Sequence, residues 1–120
     1  MATQARDQEV DMLARKVCLQ LKPNGAAELT RRFDKDIIPL LRKQKGFQDQ
    51  ITLISAAGKE AFGISLWDRT EDAEAYNRET DPQVAELLAA IVEGTPQVET
   101  YEVVNSTFHR IPDAVTPSSR

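Results

Sequence analysis

The 120 residues are the size of one ordinary domain, and a composition of 41% hydrophobic and 28% charged residues excludes a disordered chain. The longest strictly apolar run, Leu87 to Val92, is far too short to cross a bilayer, and a net charge of −4 opposes general attraction to nucleic acid. The polar N-terminus holds no secretory signal and the one cysteine, Cys18, cannot close an internal disulfide, so a cytoplasmic protein with no membrane or nucleic-acid partner is predicted.

Residues 1–11 read as a flexible polar arm. The first strand follows in LARKVCLQL, where Leu13, Val17, Leu19 and Leu21 fall on one face with Arg15 as an exception, and Ala14, Lys16, Cys18 and Gln20 fall on the other. In NGAAELTRRFDKDIIPLLRKQKG the residues Leu29, Phe33, Ile37, Leu40 and Leu41 form a stripe at helical spacing. Asn24 can cap that helix, Gly46 can end it, and Pro39 inside it predicts a kink, because its ring removes the bond to the Lys35 carbonyl. The basic cluster Arg42, Lys43 and Lys45 complements the negative end of the helix dipole.

Next come two strands, FQDQITLIS with Phe47, Ile51 and Leu53 on one face, and AFGISLWD with Phe62, Ile64 and Leu66 opposite Gly63, Ser65 and Trp67. The loop AAGKE between them suits an antiparallel hairpin. A second helical stretch starts near Asp68 or Thr70 and restarts at Thr80 or Asp81 with Pro82 in a tolerated first-turn position. Val84, Leu87, Leu88 and Ile91 supply its buried stripe, and Gly94 and Pro96 end it. The last strand is VETYEVVNSTFH, and residues 110–120, with two prolines, form an extended tail.

The order β-α-β-β-α-β over residues 12–109 predicts an α+β ferredoxin-like domain, a four-stranded antiparallel sheet with its helices on one face. The other face keeps apolar residues, so two sheets are expected to pair into a dimeric α+β barrel, a homodimer with two-fold symmetry around a lumen. Placing Phe62, Ile64 and Leu66 under the helices would turn Gly63, Ser65 and Trp67 toward that lumen.

The stretches KPNGAAELTRRFDKDIIPLLRKQKGFQD, GISLWDRTEDAEAYNRE and VETYEVVNSTFH resemble the antibiotic biosynthesis monooxygenase-like superfamily of dimeric α+β barrels. Gly46 and Phe47 entering the second strand, and Trp67 to Tyr76 leaving the third, carry the likeness. The resemblance implies a cofactor-independent monooxygenase acting on a small aromatic substrate held against Trp67 in the barrel lumen, with Trp67, Tyr76 and Asn77 supplying side chains of the kind such enzymes use. Its haem-degrading branch is known for an asparagine on the first strand, a tryptophan ending the third and a histidine on the second helix. Trp67 matches, but Val17, Cys18 and Leu19 stand near the asparagine's place and the second helix holds no histidine, which argues against haem.

The candidate catalytic residues are therefore Trp67, Tyr76, Asn77 and His109, and the candidate ligand-binding residues are Trp67, Ser65, Gly63, Cys18 and Tyr101. A flat indole beside small residues leaves room for a planar ligand, and its N–H can orient one polar atom; a dimer-core aromatic that binds nothing has the same signature. Tyr76 and Tyr101 either donate to a ligand or pack with a wet hydroxyl. His109 can act as a general base or an axial metal ligand, but it has no partner at metal-ligand spacing and reads better as a surface or interface residue. Cys18 defaults to an inert buried thiol. Asp68, Glu71, Asp72, Glu74, Glu79 and Asp81 fit caps and a solvated face, with no metal-ligand pattern. Neither a metal nor a cofactor is predicted. A non-catalytic ligand-binding dimer and a structural dimer with a dry lumen are the alternatives.

Overall fold

The computed structural model describes residues 12–109; the arm over 1–11 and the tail over 110–120 lie outside the described residues. Period-two alternation builds four strands, β1 (Leu13–Leu21), β2 (Phe47–Ile54), β3 (Glu60–Trp67) and β4 (Val92–Glu102), in one antiparallel sheet of order β2-β3-β1-β4. This is the ferredoxin-like arrangement, with β1 and β3 central and the helices on one face. The β2–β3 hairpin closes through Gly58 at φ 75°, whose N–H donates to the Ser55 carbonyl.

The first helical stretch is continuous but not uniform. Helix α1 (Gly25–Arg32) passes into a π turn (Phe33–Ile37) and then into α2 (Ile38–Arg42). In that turn the Ile38 N–H donates to the Phe33 carbonyl, five residues back. Pro39 explains it: the proline has no N–H for the Lys35 carbonyl and its ring would crowd that oxygen, so the chain widens just before it. The kink expected at Pro39 is thus taken up as a wide turn, which carries Phe33 and Ile37 into the core. Asn24 stands at the N-cap in a left-handed conformation (φ 64°) and makes no side-chain cap bond, so the expected cap is only positional.

The second stretch breaks where Pro82 predicts, into α3 (Thr70–Glu79) and α4 (Asp81–Leu88). It stops at Leu88, six residues before Gly94. Gly94 (φ 71°) and Pro96 instead sit inside β4, where the pairing jumps from Cys18–Gln97 to Gln20–Glu93. An edge strand tolerates both residues at such a bulge. The expected last strand, residues 98–109, is corrected to Val92–Glu102. The chain after it bonds to Met12 through the Val103 N–H and reaches His109, 3.4 Å from Asp49 on the opposite edge strand.

Burial corrects the expected faces. Ala61, Ser65 and Trp67 lie under the helices with Leu19 and Leu21, whereas Phe62, Ile64 and Leu66 are half-buried on the open face. Alternation says which residues share a face; the register with β1 decides which face is covered. Ser65 pairs with Arg15 and Gly63 with Val17, so they join the leucine face of β1. A second correction concerns Phe47, expected beside Ile51 and Leu53. A register shift between Phe47 and Asp49 turns it to the covered side, opposite Trp67. The core gathers Leu29, Ile37 and Trp67, the large side chains most completely sealed, with Phe33, Leu41, Tyr76, Val84 and Leu88 around them.

Candidate functional site

Between the sheet and the helices lies a cavity of about 260 Å³, just below the usual range for ligand pockets, roughly 300–1,000 Å³. Register explains its shape. Thr100, Arg15, Ser65 and Gln50 are neighbours across the covered face, and the adjacent row is Val98, Val17, Gly63 and Thr52. The first row is polar and the second mostly apolar. Phe33 and Ile37 of the π turn, Leu41, and Val84 and Leu88 of α4 close the space from above, and Gly94, Pro96 and Val98 of the bulged edge strand line one side. Gly63 keeps the floor open, since a Cβ there would come within 3.3 Å of the Gln50 amide nitrogen.

At the polar end one group organises the others. Arg15 is only 5% exposed, a buried cation on a strand face that is otherwise apolar. Its Nη2 donates to Asn77 Oδ1 at 2.8 Å and stands 3.3 Å from Asp81 Oδ1. Its guanidinium carbon lies 5.2 Å from the centre of the Tyr76 ring. The Tyr76 hydroxyl donates to the same Asp81 oxygen at 3.4 Å. Burial, and then the Asp81 charge, push the Tyr76 phenol far above its ordinary value, with Arg15 opposing them more weakly, so the hydroxyl remains a neutral donor at physiological pH.

Trp67 is fully buried and lies outside the cavity lining, behind it. Its ring centre is 5.1 Å from that of Tyr76 and 5.5 Å from that of Phe47, the latter edge to face. The indole N–H donates to Ser65 Oγ at 2.9 Å, so it is not available to a ligand. The tryptophan therefore serves as the wedge that fixes Tyr76 and Ser65, both of which line the cavity.

The structure thus brings Ser65, Gly63, Tyr76 and, one layer out, Trp67 and Asn77 together, and sets the other candidates apart. Cys18 and Tyr101 are on the open face, away from the cavity. The Cys18 thiol lies 3.8 Å from Glu60 Oε2, and desolvation and the Glu60 charge push it up, which keeps it protonated. The Tyr101 hydroxyl donates to Glu99 at 2.9 Å. His109 pairs with Asp49 across the end of the sheet and does not line the cavity. Two residues that carry the polar end, Arg15 and Asp81, were not candidates in the sequence reading. Arg15 had a signal, as the one charge interrupting the apolar face of β1. Asp81 did not, because a cap and a cavity carboxylate look alike in sequence. Among the described residues no three of His, Cys, Asp and Glu gather as a metal site, and no helix is long and apolar enough to cross a membrane.

The same fold recurs in solved structures. A protein of unknown function from Nitrosomonas europaea superposes with a TM-score of 0.69 at 19% identity over 88% of this chain and 98% of its own. A candidate antibiotic biosynthesis monooxygenase from Bordetella bronchiseptica gives 0.68 at 14% identity, over 78% and 97%. SnoaB, a cofactor-independent oxygenase from Streptomyces nogalater, gives 0.63 at 13% identity, over 81% and 97%. The chain therefore has the fold of the antibiotic biosynthesis monooxygenase-like proteins. No protein-family model and no curated protein matches it in sequence.

Proposed function

We propose that this protein is a cofactor-independent monooxygenase for a small aromatic substrate, bound between the sheet and the helices of each protomer, and not in the lumen between two sheets. The observation that carries the reading is the cavity itself, apolar along most of its wall with Arg15, Ser65, Tyr76 and Asp81 at one end. The fold shared with a cofactor-independent oxygenase supports it. An electron-rich phenol fits such a space: the apolar wall takes the ring and the polar end orients its oxygen. The substrate supplies the electrons. A phenol and one O2 give a quinone and one water: the ring carbon loses its hydrogen and gains one oxygen atom, and the second oxygen leaves as water with that hydrogen and the hydroxyl proton. The chain's part is to hold the ring, exclude water and steer the proton toward Asp81.

The half-buried apolar face of the sheet supports a homodimer, each sheet covering the other. A ligand-binding dimer without turnover is the second reading. It is favoured by the mutual pairing of Arg15, Asp81, Tyr76 and Asn77, which leaves none of them an unpaired base.

Oxygen uptake with a panel of mono- and bicyclic phenols and hydroquinones tests the enzyme reading. One O2 should be consumed per quinone formed, with no hydrogen peroxide, and Gly63→Leu should abolish the reaction by filling the cavity floor. Saturable binding without oxygen uptake would establish the second reading instead. Full activity in Gly63→Leu would remove the cavity from the reaction.

A further inference from the structure

A serine hydroxyl has one O–H to give and two lone pairs to accept with. In Ser65 the accepting role is filled: Oγ receives the Trp67 indole N–H at 2.9 Å. The giving role is not. Ser65 is 5% exposed and lines the cavity, and among the described residues its hydroxyl proton meets no acceptor. The fold explains why. β3 is a central strand, so its own carbonyls lie in the plane of the sheet and serve the ladders with β1 and β2. The cross-strand neighbour on one side is Arg15, whose guanidinium can only donate. The neighbour on the other side is Gln50, whose amide nitrogen donates to Thr52 Oγ1 at 3.1 Å and so turns the carboxamide along its own strand. The Tyr76 hydroxyl donates as well, to Asp81. A buried donor without an acceptor costs the folded state the desolvation of that group, and the space left for an acceptor is the cavity.

We propose that Ser65 is a binding residue for the ligand: its hydroxyl donates to an uncharged oxygen, a carbonyl carried on the aromatic ring, and Trp67 is the positioning residue that holds the hydroxyl in the donating role. The inference rests on the cavity being the ligand site and adds which group of the ligand it reads. A carbonyl is a strong acceptor and brings no proton of its own to an end of the cavity where Arg15, Ser65 and Tyr76 already donate. For the proposed reaction this means a phenol that also carries a carbonyl, and a quinone product makes the same contact. The two bonds run in series, from indole N–H to Oγ and from O–H to the ligand. Each strengthens the other, because an oxygen whose own proton is engaged accepts more strongly.

The test is a titration of the whole protein with acetophenone beside α-methylstyrene, which has the same shape with a CH2 group in place of the carbonyl oxygen. Trp67 is the chain's one tryptophan, so its indole N–H gives a single side-chain proton resonance to follow. Acetophenone should bind at least about threefold more tightly, the worth of one net hydrogen bond. It should also move the indole resonance downfield of its position with α-methylstyrene. Both probes carry the same ring, so ring-current shifts cancel in that difference. Gly63→Leu should abolish binding of both probes. Ser65→Ala should erase the preference and leave α-methylstyrene bound. Should Ser65→Ala fail to fold, the resonance difference on the unaltered protein decides. Equal binding of the two probes, or equal indole positions, would overturn the proposal and leave the cavity as a site for apolar rings. A preference that survives in Ser65→Ala would overturn it by giving the oxygen to another donor, and equal weakening of both probes in that variant would reduce Ser65 to a support for Trp67. Binding of neither probe, or binding that persists in Gly63→Leu, would overturn the proposal together with the cavity reading.

Discussion

Single residues carry much of this fold's geometry, and Gly46 is the sharpest case. It has φ 79°, and a Cβ there would fall 2.1 Å from Asp72 Oδ2 and 2.7 Å from Asp72 Cβ, so no rotation of the aspartate relieves the overlap. Gly58 has a similar φ of 75° and open space around it. Gly46→Ala should therefore cost about 2–5 kcal/mol, backbone strain plus overpacking, and Gly58→Ala only about 1–2 kcal/mol. Urea denaturation of the two variants checks this, and equal losses would contradict the contact. Tyr76 makes a second prediction. Its folded-state pKa is raised above the ordinary 10.0, chiefly by burial. The folded protein keeps a proton that the unfolded chain gives up, so this stabilisation is complete below about pH 10 and falls as the pH rises above it, by up to about 1.4 kcal/mol per unit. Stability of the unaltered protein should drop faster than that of Tyr76→Phe above about pH 10; parallel curves would refute the shift. Neither contact can be read from sequence. Gly46 was legible as a helix end and Tyr76 as one of two packed or donating tyrosines, but the partners that constrain them, Asp72 and Asp81, are 26 and 5 positions away on other turns of chain.

At the scale of elements, what the sequence made plain was whatever depends on neighbours along the chain. The leucine face of β1, the hairpin loop around Gly58, the break at Pro82 and the buried Val84 and Leu88 all follow from local periodicity and local chemistry. What it hid depends on pairing between strands. The bulge that turns Phe47 toward Trp67, and the bulge that admits Gly94 and Pro96 into β4, are both register events, and a register is a relation between two segments. The inverted faces of β3 have the same origin. With Phe62, Ile64 and Leu66 on one side and an indole on the other, hydrophobicity alone does not rank the two faces. The small residues Ala61, Gly63 and Ser65 do so in retrospect, since the covered face also has to leave space for a cavity. The π turn belongs to the same account: Pro39 was legible as a disturbance, but its outcome, a widened turn presenting Phe33 and Ile37 to the cavity, depended on what lay beneath the helix.

For the whole molecule, the question is what covers the open face of the sheet. Ile51 is 37%, Leu53 48% and Tyr101 49% exposed, with Phe62, Ile64 and Leu66 half-buried between them. Lys16 on the same face lies 4.8 Å from the centre of the Phe62 ring and 3.9 Å from Glu99, while Asp49, Glu60 and Glu93 share the face away from its apolar rows. Such a surface can bury its apolar part against a copy of itself, because a two-fold axis sets apolar rows against apolar rows. A stable assembly needs about 800 Å² from each partner, and the exposed Val104 and Phe108, in the segment that leads to His109 beside Asp49, add apolar surface to that of the face. Leu53 is the residue to change. It is half exposed in the protomer, so an aspartate there meets water in the isolated chain and costs the fold little, but in a face-to-face pair it would be buried without a partner. Sedimentation should show the unaltered protein as a dimer at micromolar concentration and Leu53→Asp as a monomer with an unchanged circular dichroism spectrum. A dimer that survives Leu53→Asp would place the interface elsewhere, and an unaltered protein that sediments as a monomer would leave the sheet face to a different partner while leaving the cavity, which one protomer builds alone, intact.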